Sequence, residues 1–278
     1  MSHSICIVIP CYNEADRLNA FAFRRFVAEH PGVRFVMVND GSRDSTLNLL
    51  EALHEQVPEQ IEVLNLETNQ GKAEAVRAGM LRGLDRAPDY IGYWDADLAT
   101  PLEAIIELGG LLDQRSDLDL IIASRFPLLG RRIERQWMRK RVGQICGGLA
   151  SLALGTRIQD TQCGAKLFRT STVARHVFSE PMTSRWLFDV EVFARLIQTW
   201  KALGDRPFHE RVFEYPLHHW VEIPGSKLKK MDFLKAGLEL SQIYLRYLQP
   251  FAKTPDVSRI PTTQPQPARE TANARRVA

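Results

Sequence analysis

Through residue 123 the sequence alternates between short apolar runs and stretches whose apolar residues recur at helical spacing. The runs are Ser4–Pro10, Arg34–Val38, Ile61–Leu66, Tyr90–Trp94 and Leu118–Ala123. Between them, Leu18, Phe21, Ala22 and Phe26 line one helix face, and Leu47, Leu50, Leu53 and Val57 a second. Ala73, Val76, Met80 and Leu84 line a third, and Leu102, Ile105, Ile106 and Gly109 a fourth. A continuous apolar run suits a strand buried on both faces. Strands alternating with helices predict an α/β fold, a mostly parallel sheet with helices on both faces. Right-handed crossovers then carry every strand's C-terminal end to the same edge, where ligands bind in such sheets.

The second half has a different pattern. Arg131–Leu154 reads as a helix with a basic start, Ala165–Arg169 as a short strand and Arg185–Trp200 as a helix. Arg211–Trp220 reads as a strand interrupted by Pro216. Met231–Leu248 reads as an amphipathic helix with Leu234, Leu238, Leu245 and Leu248 on one side. From Ala252 to Ala278 the chain is rich in Pro, Thr, Gln and Arg, the composition of a disordered tail.

Two of the strands run into acids. Val38 leads into Asn39-Asp40-Gly41-Ser42, and Trp94 into Asp95-Ala96-Asp97. Asp95 and Asp97, two apart where the chain leaves the sheet, can approach one point. A hard divalent cation held by one or two carboxylates and by substrate phosphate oxygens suits them. Such a cation neutralises a departing diphosphate. The plainer reading is a solvated turn with helix-capping acids, and Asp40 alone also reads as a cap.

Taken together, Ile9-Pro10-Cys11-Tyr12-Asn13-Glu14, Val38-Asn39-Asp40-Gly41-Ser42, Asn69-Gln70-Gly71-Lys72 and Asp95-Ala96-Asp97 resemble the family 2 glycosyltransferases in order and spacing. The resemblance implies the GT-A type nucleotide-diphospho-sugar transferase fold, with a Rossmann-like, mostly parallel sheet. Further on, Asp160-Thr161-Gln162-Cys163-Gly164, Arg185-Trp186, Phe188-Asp189-Val190-Glu191 and Glu222-Ile223-Pro224-Gly225-Ser226-Lys227 are similar to a narrower group. These are the dolichyl- and polyprenyl-phosphate sugar transferases, above all the dolichyl-phosphate β-glucosyltransferases. The implied organisation is one domain over 1–251, with a donor half to about 125 and an acceptor half from about 126, then the tail 252–278.

The resemblance also implies roles. Pro10, Tyr12 and Glu14 hold the base and ribose of the donor, and Asp40 accepts a hydrogen bond from the base. Asp95, Ala96 and Asp97 meet the ribose, diphosphate and metal, with Asp95 and Asp97 as ligands to Mg2+ or Mn2+. Lys72 approaches the diphosphate, although a turn with Lys72 simply solvated fits the sequence equally well, and Asn-Gln-Gly-Lys lacks P-loop spacing. Asp160, Gln162 and Arg125 are the catalytic candidates. Asp160 would be a base toward a hydroxyl, or would orient the acceptor if that is a phosphate monoester, which is already largely anionic. Arg131, Arg135, Trp186 and Lys227 are the acceptor-binding candidates. Arg131 and Arg135, one helical turn apart on the predicted helix, would share a face, unless the run Arg131–Arg141 is only a solvated charged surface.

The implied reaction is inverting transfer of a hexose, glucose from UDP-glucose, to a polyprenyl phosphate. The alternatives are transfer to a sugar or protein hydroxyl, and a non-catalytic nucleotide-sugar-binding module. A dinucleotide-dependent dehydrogenase is excluded by the lack of G-x-G-x-x-G after the first strand. A net charge of +3 does not call for a nucleic-acid partner. The four cysteines, Cys6, Cys11, Cys146 and Cys163, lack C-x-x-C spacing, which predicts free thiols in a reducing cytoplasm. No apolar run reaches the roughly 18 to 20 residues that span a bilayer. The expectation is a cytoplasmic protein, peripheral on an anionic membrane face through its basic run and amphipathic helix.

Overall fold

A computed structural model describes residues 3–134, 147–223, 231–258 and 260, without side chains for 231–234. The predicted strands and helices of the first half all form: β1 (Ile5–Cys11), α1 (Ala20–Glu29), β2 (Val33–Asp40), α2 (Thr46–Gln56), β3 (Ile61–Leu66), α3 (Lys72–Leu84), β4 (Tyr90–Trp94), α4 (Glu103–Gln114) and β5 (Leu120–Ser124). After them come β6 (Arg132–Glu134), a helix α5 over 147–154, β7 (Ala165–Arg169), α6 (Thr172–Ser179) and α7 (Phe188–Ala202). The chain continues through a single turn α8 (Phe208–Arg211), β8 (Val212–Pro216), β9 (His219–Val221) and α9 (Met231–Ile243).

The main sheet has seven strands in the order β3-β2-β1-β4-β7-β5-β8. All its pairings are parallel except those of β7, which runs antiparallel between β4 and β5. Side chains alternate between two cores, as the pleat requires. Ile5, Ile7, Ile9 and Cys11 join one apolar cluster with α1 and α4, while Cys6 and Val8 join the other with α3, α6 and α7. Gly79 and Gly83 let α3 lie close on β1, β2 and β4, because a methyl at either would strike Val8 and Val38, or Cys6 and Ile91.

Strand order reverses between β1 and β4. The crevice beyond the C-terminal ends of such a neighbouring pair is where open α/β sheets take ligands. In β7, Ala165 pairs with Trp94, so the chain entering β7 passes directly beside Asp95.

Three readings are corrected. Arg131–Glu134 is not the start of a helix: Arg132, Ile133 and Glu134 pair with His219, Trp220 and Val221 of β9, and among the described residues of this segment helix is present only over 147–154. Arg135 lies outside the described residues, as do Arg139, Lys140, Arg141, Cys146 and Lys227. The apolar row on α9 is also split. Tyr244–Leu248 winds as a π-helix, which has more residues per turn and shifts the phase. Leu248 consequently packs against the core while Leu238 and Leu245 stay exposed. Finally, the tail does not leave the domain at Ala252, since Val257 and Ile260 pack against the second core cluster.

Candidate active site

The loop after β1 is tied to the loop after β2. Asn13, at φ 52°, donates its N–H to Ser42 Oγ at 3.0 Å and accepts from Arg43 N at 2.9 Å. Glu14 N–H donates to Thr46 Oγ1 at 2.8 Å, and Glu14 pairs with Arg17 at 2.9 Å. Pro10 and Tyr12 are half-buried at this rim.

Asp40, at the end of β2, is buried and serves as an anchor. Its Oδ1 accepts Gln70 N–H at 2.7 Å, and its Oδ2 accepts Gly71 N–H and Asn69 Nδ2, both at 2.9 Å. Burial pushes its carboxyl above the ordinary aspartate range against those backbone donors. This carboxylate therefore shapes the Asn69–Gly71 turn, and that turn delivers Lys72 to the site.

Lys72 contacts Asp95 Oδ1 directly. Surrounding protein lowers the affinity of its ammonium for a proton, but Asp95, Asp189 and Asp97 outweigh this, and the net shift is upward. Asp97 accepts Ala99 N–H at 3.1 Å and lies 4.0 Å from Arg17. Burial and the negative charge of Asp95 hold its carboxyl above the ordinary range, against Ala99 N–H, Lys72 and Arg17. Ala96 between them is buried. A carboxylate whose charge is disfavoured by a second one beside it belongs to a donor set that a divalent cation relieves. Among the described residues no third His, Cys, Asp or Glu joins them, so a cation here would complete its shell with phosphate oxygens and water. The residues fit Mg2+ or Mn2+ on those terms.

Across the crevice, Arg125 follows β5 and Asp160 precedes β7. Asp160 takes both ends of the guanidinium, at 2.7 Å and 2.7 Å, and also the Arg125 N–H at 3.0 Å. The pair is largely shielded, with side-chain exposures of 15 % and 12 %. Burial would lower the guanidinium's proton affinity, yet Asp160 more than reverses this. Asp160 thus acts as the holder of Arg125, which also lies over the Trp220 ring at 5.3 Å. Gln162 is half-buried on the same loop.

Of the acceptor candidates, Arg131 follows the turn after β5, and its Nη1 is buried without a hydrogen-bond partner among the described residues. Trp186 is 39 % exposed, with its N–H held by Glu239 at 3.0 Å.

Sequence reasoning missed several supporting residues. Glu214 of β8 accepts Gln159 N–H at 2.8 Å and Asp160 N–H at 2.7 Å, fixing the loop that presents Asp160. Lys166, fully buried on β7, pairs with Asp189 at 2.7 Å and with the Cys163 carbonyl at 2.6 Å, while Tyr93 OH donates to Asp189 at 2.6 Å. The available signal was a charge between apolar neighbours in a strand, Lys166 in β7 and Glu214 in β8, since a buried charge persists only when paired.

The sequence profile of Glycosyl transferase family 2 matches residues 6–177. A dolichyl-phosphate beta-glucosyltransferase of Drosophila melanogaster is 34 % identical over 262 residues, covering 89 % of this chain and 76 % of the relative. One from Trichomonas vaginalis is 32 % identical over 253 residues, covering 86 % and 70 %. Among solved structures, glucosyl-3-phosphoglycerate synthase from Mycobacterium tuberculosis, in complex with Mn2+, UDP-glucose and phosphoglyceric acid, aligns with a TM-score of 0.60 at 15 % identity. That alignment covers 88 % of this chain and 79 % of the synthase, and carries the GT-A fold.

Proposed function

We propose that this chain, which belongs to glycosyl transferase family 2, transfers glucose from UDP-glucose to a polyprenyl phosphate of the dolichyl type, with inversion at the anomeric carbon. The observation that carries the reading is the convergence at one sheet edge of a paired acid site, Asp95 and Asp97 with Lys72, and a shielded Arg125–Asp160 pair. Relatives at 32 % and 34 % identity bear the name dolichyl-phosphate beta-glucosyltransferase, which supports the sugar and the acceptor class.

In this reading Pro10, Tyr12 and Glu14 line the base and ribose end of the donor. Asp40 acts mainly through the Asn69–Gly71 turn that it holds. Asp95 and Asp97 would hold Mg2+ or Mn2+, whose chemistry is to neutralise charge developing on the departing diphosphate. Lys72 adds a second positive charge beside the same phosphates, and Arg17 limits repulsion between Asp97 and its neighbours. Arg125, fixed by Asp160, offers a preset cation to the acceptor phosphate, with Arg131 nearby in sequence. A phosphate monoester oxygen is already a nucleophile, so Asp160 has no proton to remove. Positioning and preset charge then supply most of the rate. A single displacement on an α-linked donor gives a β-linked product.

The membrane reading is part of the same proposal. Phe126, Leu128 and Leu129 are exposed immediately after Arg125, and Leu238, Leu245 and Phe251 are exposed on or after α9. No helix among the described residues is long and apolar enough to cross a membrane. These side chains suit shallow contact with a lipid surface beside the acceptor phosphate. The test is a donor screen in which UDP-, GDP- and dTDP-glucose are each incubated with Mn2+ and polyprenyl phosphate. UDP-glucose should give lipid-linked glucose. Transfer from another nucleotide sugar alone, or only to a hydroxyl acceptor, would reject the assignment.

A further inference from the structure

The segment between α6 and α7 is held more tightly than a surface loop needs. Glu191 of α7 accepts Thr183 N–H at 2.9 Å and Ser184 N–H at 2.7 Å. Glu239 of α9 accepts from the Ser184 hydroxyl and from the N–H groups of Arg185 at 3.3 Å, Trp186 at 3.0 Å and Leu187 at 3.0 Å. Two acids from different helices therefore fix the backbone on both sides of Arg185.

The Arg185 side chain then reaches Gly71. A methyl built on Gly71 would stand 3.0 Å from Arg185 Nη2 and 3.1 Å from Nε, so the guanidinium lies against the glycine Cα. Gly71 has φ +95°, and its N–H is bound by Asp40. The next residue is Lys72, in contact with Asp95. Arg185 thus lies against the turn that Asp40 anchors, beside the residue that precedes Lys72. Asp40 feels its positive charge, yet both Asp40 oxygens are already taken by the turn. Among the described residues no carboxylate lies within ion-pair distance of this guanidinium, and the residue is exposed. A fixed arginine with its donors open, one residue from a site cation, matches a phosphate group, which a guanidinium binds bidentately.

We infer that Arg185 is a further donor-binding residue, contacting the diphosphate of the nucleotide sugar, and that Glu239 is the positioning residue that presents it. The inference rests on the proposed nucleotide-sugar reading and adds to it a named contact. It also makes α9, the helix that carries Glu239 and the exposed Leu238, part of the donor site.

Titration calorimetry on the full chain with Mn2+ tests it, using UDP, UMP and uridine against wild type, Arg185→Ala, Arg185→Lys and Glu239→Gln. Arg185→Ala should weaken UDP about tenfold to a hundredfold, the range for a hydrogen bond to a charged group, weaken UMP less and leave uridine unchanged. Arg185→Lys should recover part of the loss, because charge remains without the planar fork. Glu239→Gln should shift UDP in the same direction by a smaller factor, again sparing uridine. Unchanged UDP binding in Arg185→Ala, or an equal loss for UDP and uridine, overturns the inference. If wild type binds no UDP, the nucleotide-sugar reading itself has failed, and this result is distinct from the first two.

Discussion

Replacing Gly164 by Ala should disable the acid pair while leaving the backbone unstrained. Gly164 is absent from the positive-φ glycines, so alanine is conformationally allowed there. Its methyl, however, would stand 2.6 Å from Asp95 Oδ1 and nearer still to Asp95 Cγ and Oδ2. Ordinary contact begins near 3.4 Å, so Oδ1 alone must retreat by 0.8 Å, and the nearer Cγ and Oδ2 by more. Asp95 also holds Lys72, and both would leave their places together. A misplacement of about 1 Å in a positioned group costs on the order of 100-fold in rate. Overpacking costs about 1–3 kcal/mol of stability, which leaves a folded enzyme for assay. The assay is turnover of UDP-glucose with Mn2+ and polyprenyl phosphate, beside a urea unfolding curve. A folded Gly164→Ala enzyme with wild-type kcat and wild-type Mn2+ dependence would refute the reasoning, because Asp95 could then move without consequence.

Three further outcomes are expected. Asp160→Asn leaves Arg125 with a shielded charge and no anionic partner, so stability in urea should fall by about 3 kcal/mol; a loss below about 1 kcal/mol would make the pair an ordinary surface bridge. Asp97 has a raised pKa, so its ionised form costs stability at neutral pH, and that cost disappears as pH falls through the raised value. Asp97→Asn should therefore be the more stable protein at pH 7, with the gap closing in acid, while Mn2+ binding followed by electron paramagnetic resonance weakens; a less stable mutant at pH 7 contradicts the sign. Leu238→Asp with Leu245→Asp should cut sedimentation with anionic vesicles at low salt, and undiminished sedimentation would remove α9 from the membrane contact.

The first half was legible because its candidate acids sit at strand ends. Alternating runs fix which residues leave the sheet, so Asp40, Asp95 and Asp97 could be brought to one edge before any coordinates. The second half was not legible in the same way. β7 enters antiparallel between β4 and β5, a placement that depends on tertiary pairing rather than on its own five residues. That strand is what sets Gly164 against Asp95 and brings Asp160 to Arg125. Helical spacing in Arg131–Leu154 misled for a related reason: Arg132–Glu134 pairs with β9, a partner more than 80 positions away. Residue type gave the location of Asp40 at the site, while its bonds to the Asn69–Gly71 turn depend on donors some 30 positions away and were not legible.

The proposed reaction is a single displacement at the anomeric carbon by a lipid phosphate. Its most direct measurement is NMR of the product formed from UDP-α-glucose labelled with 13C at the anomeric carbon, in the presence of Mn2+ and polyprenyl phosphate. One new anomeric signal is expected, coupled to phosphorus and with the one-bond carbon–hydrogen coupling of a β-linked glucose. An α-linked lipid product, or label recovered only as free glucose, would contradict it.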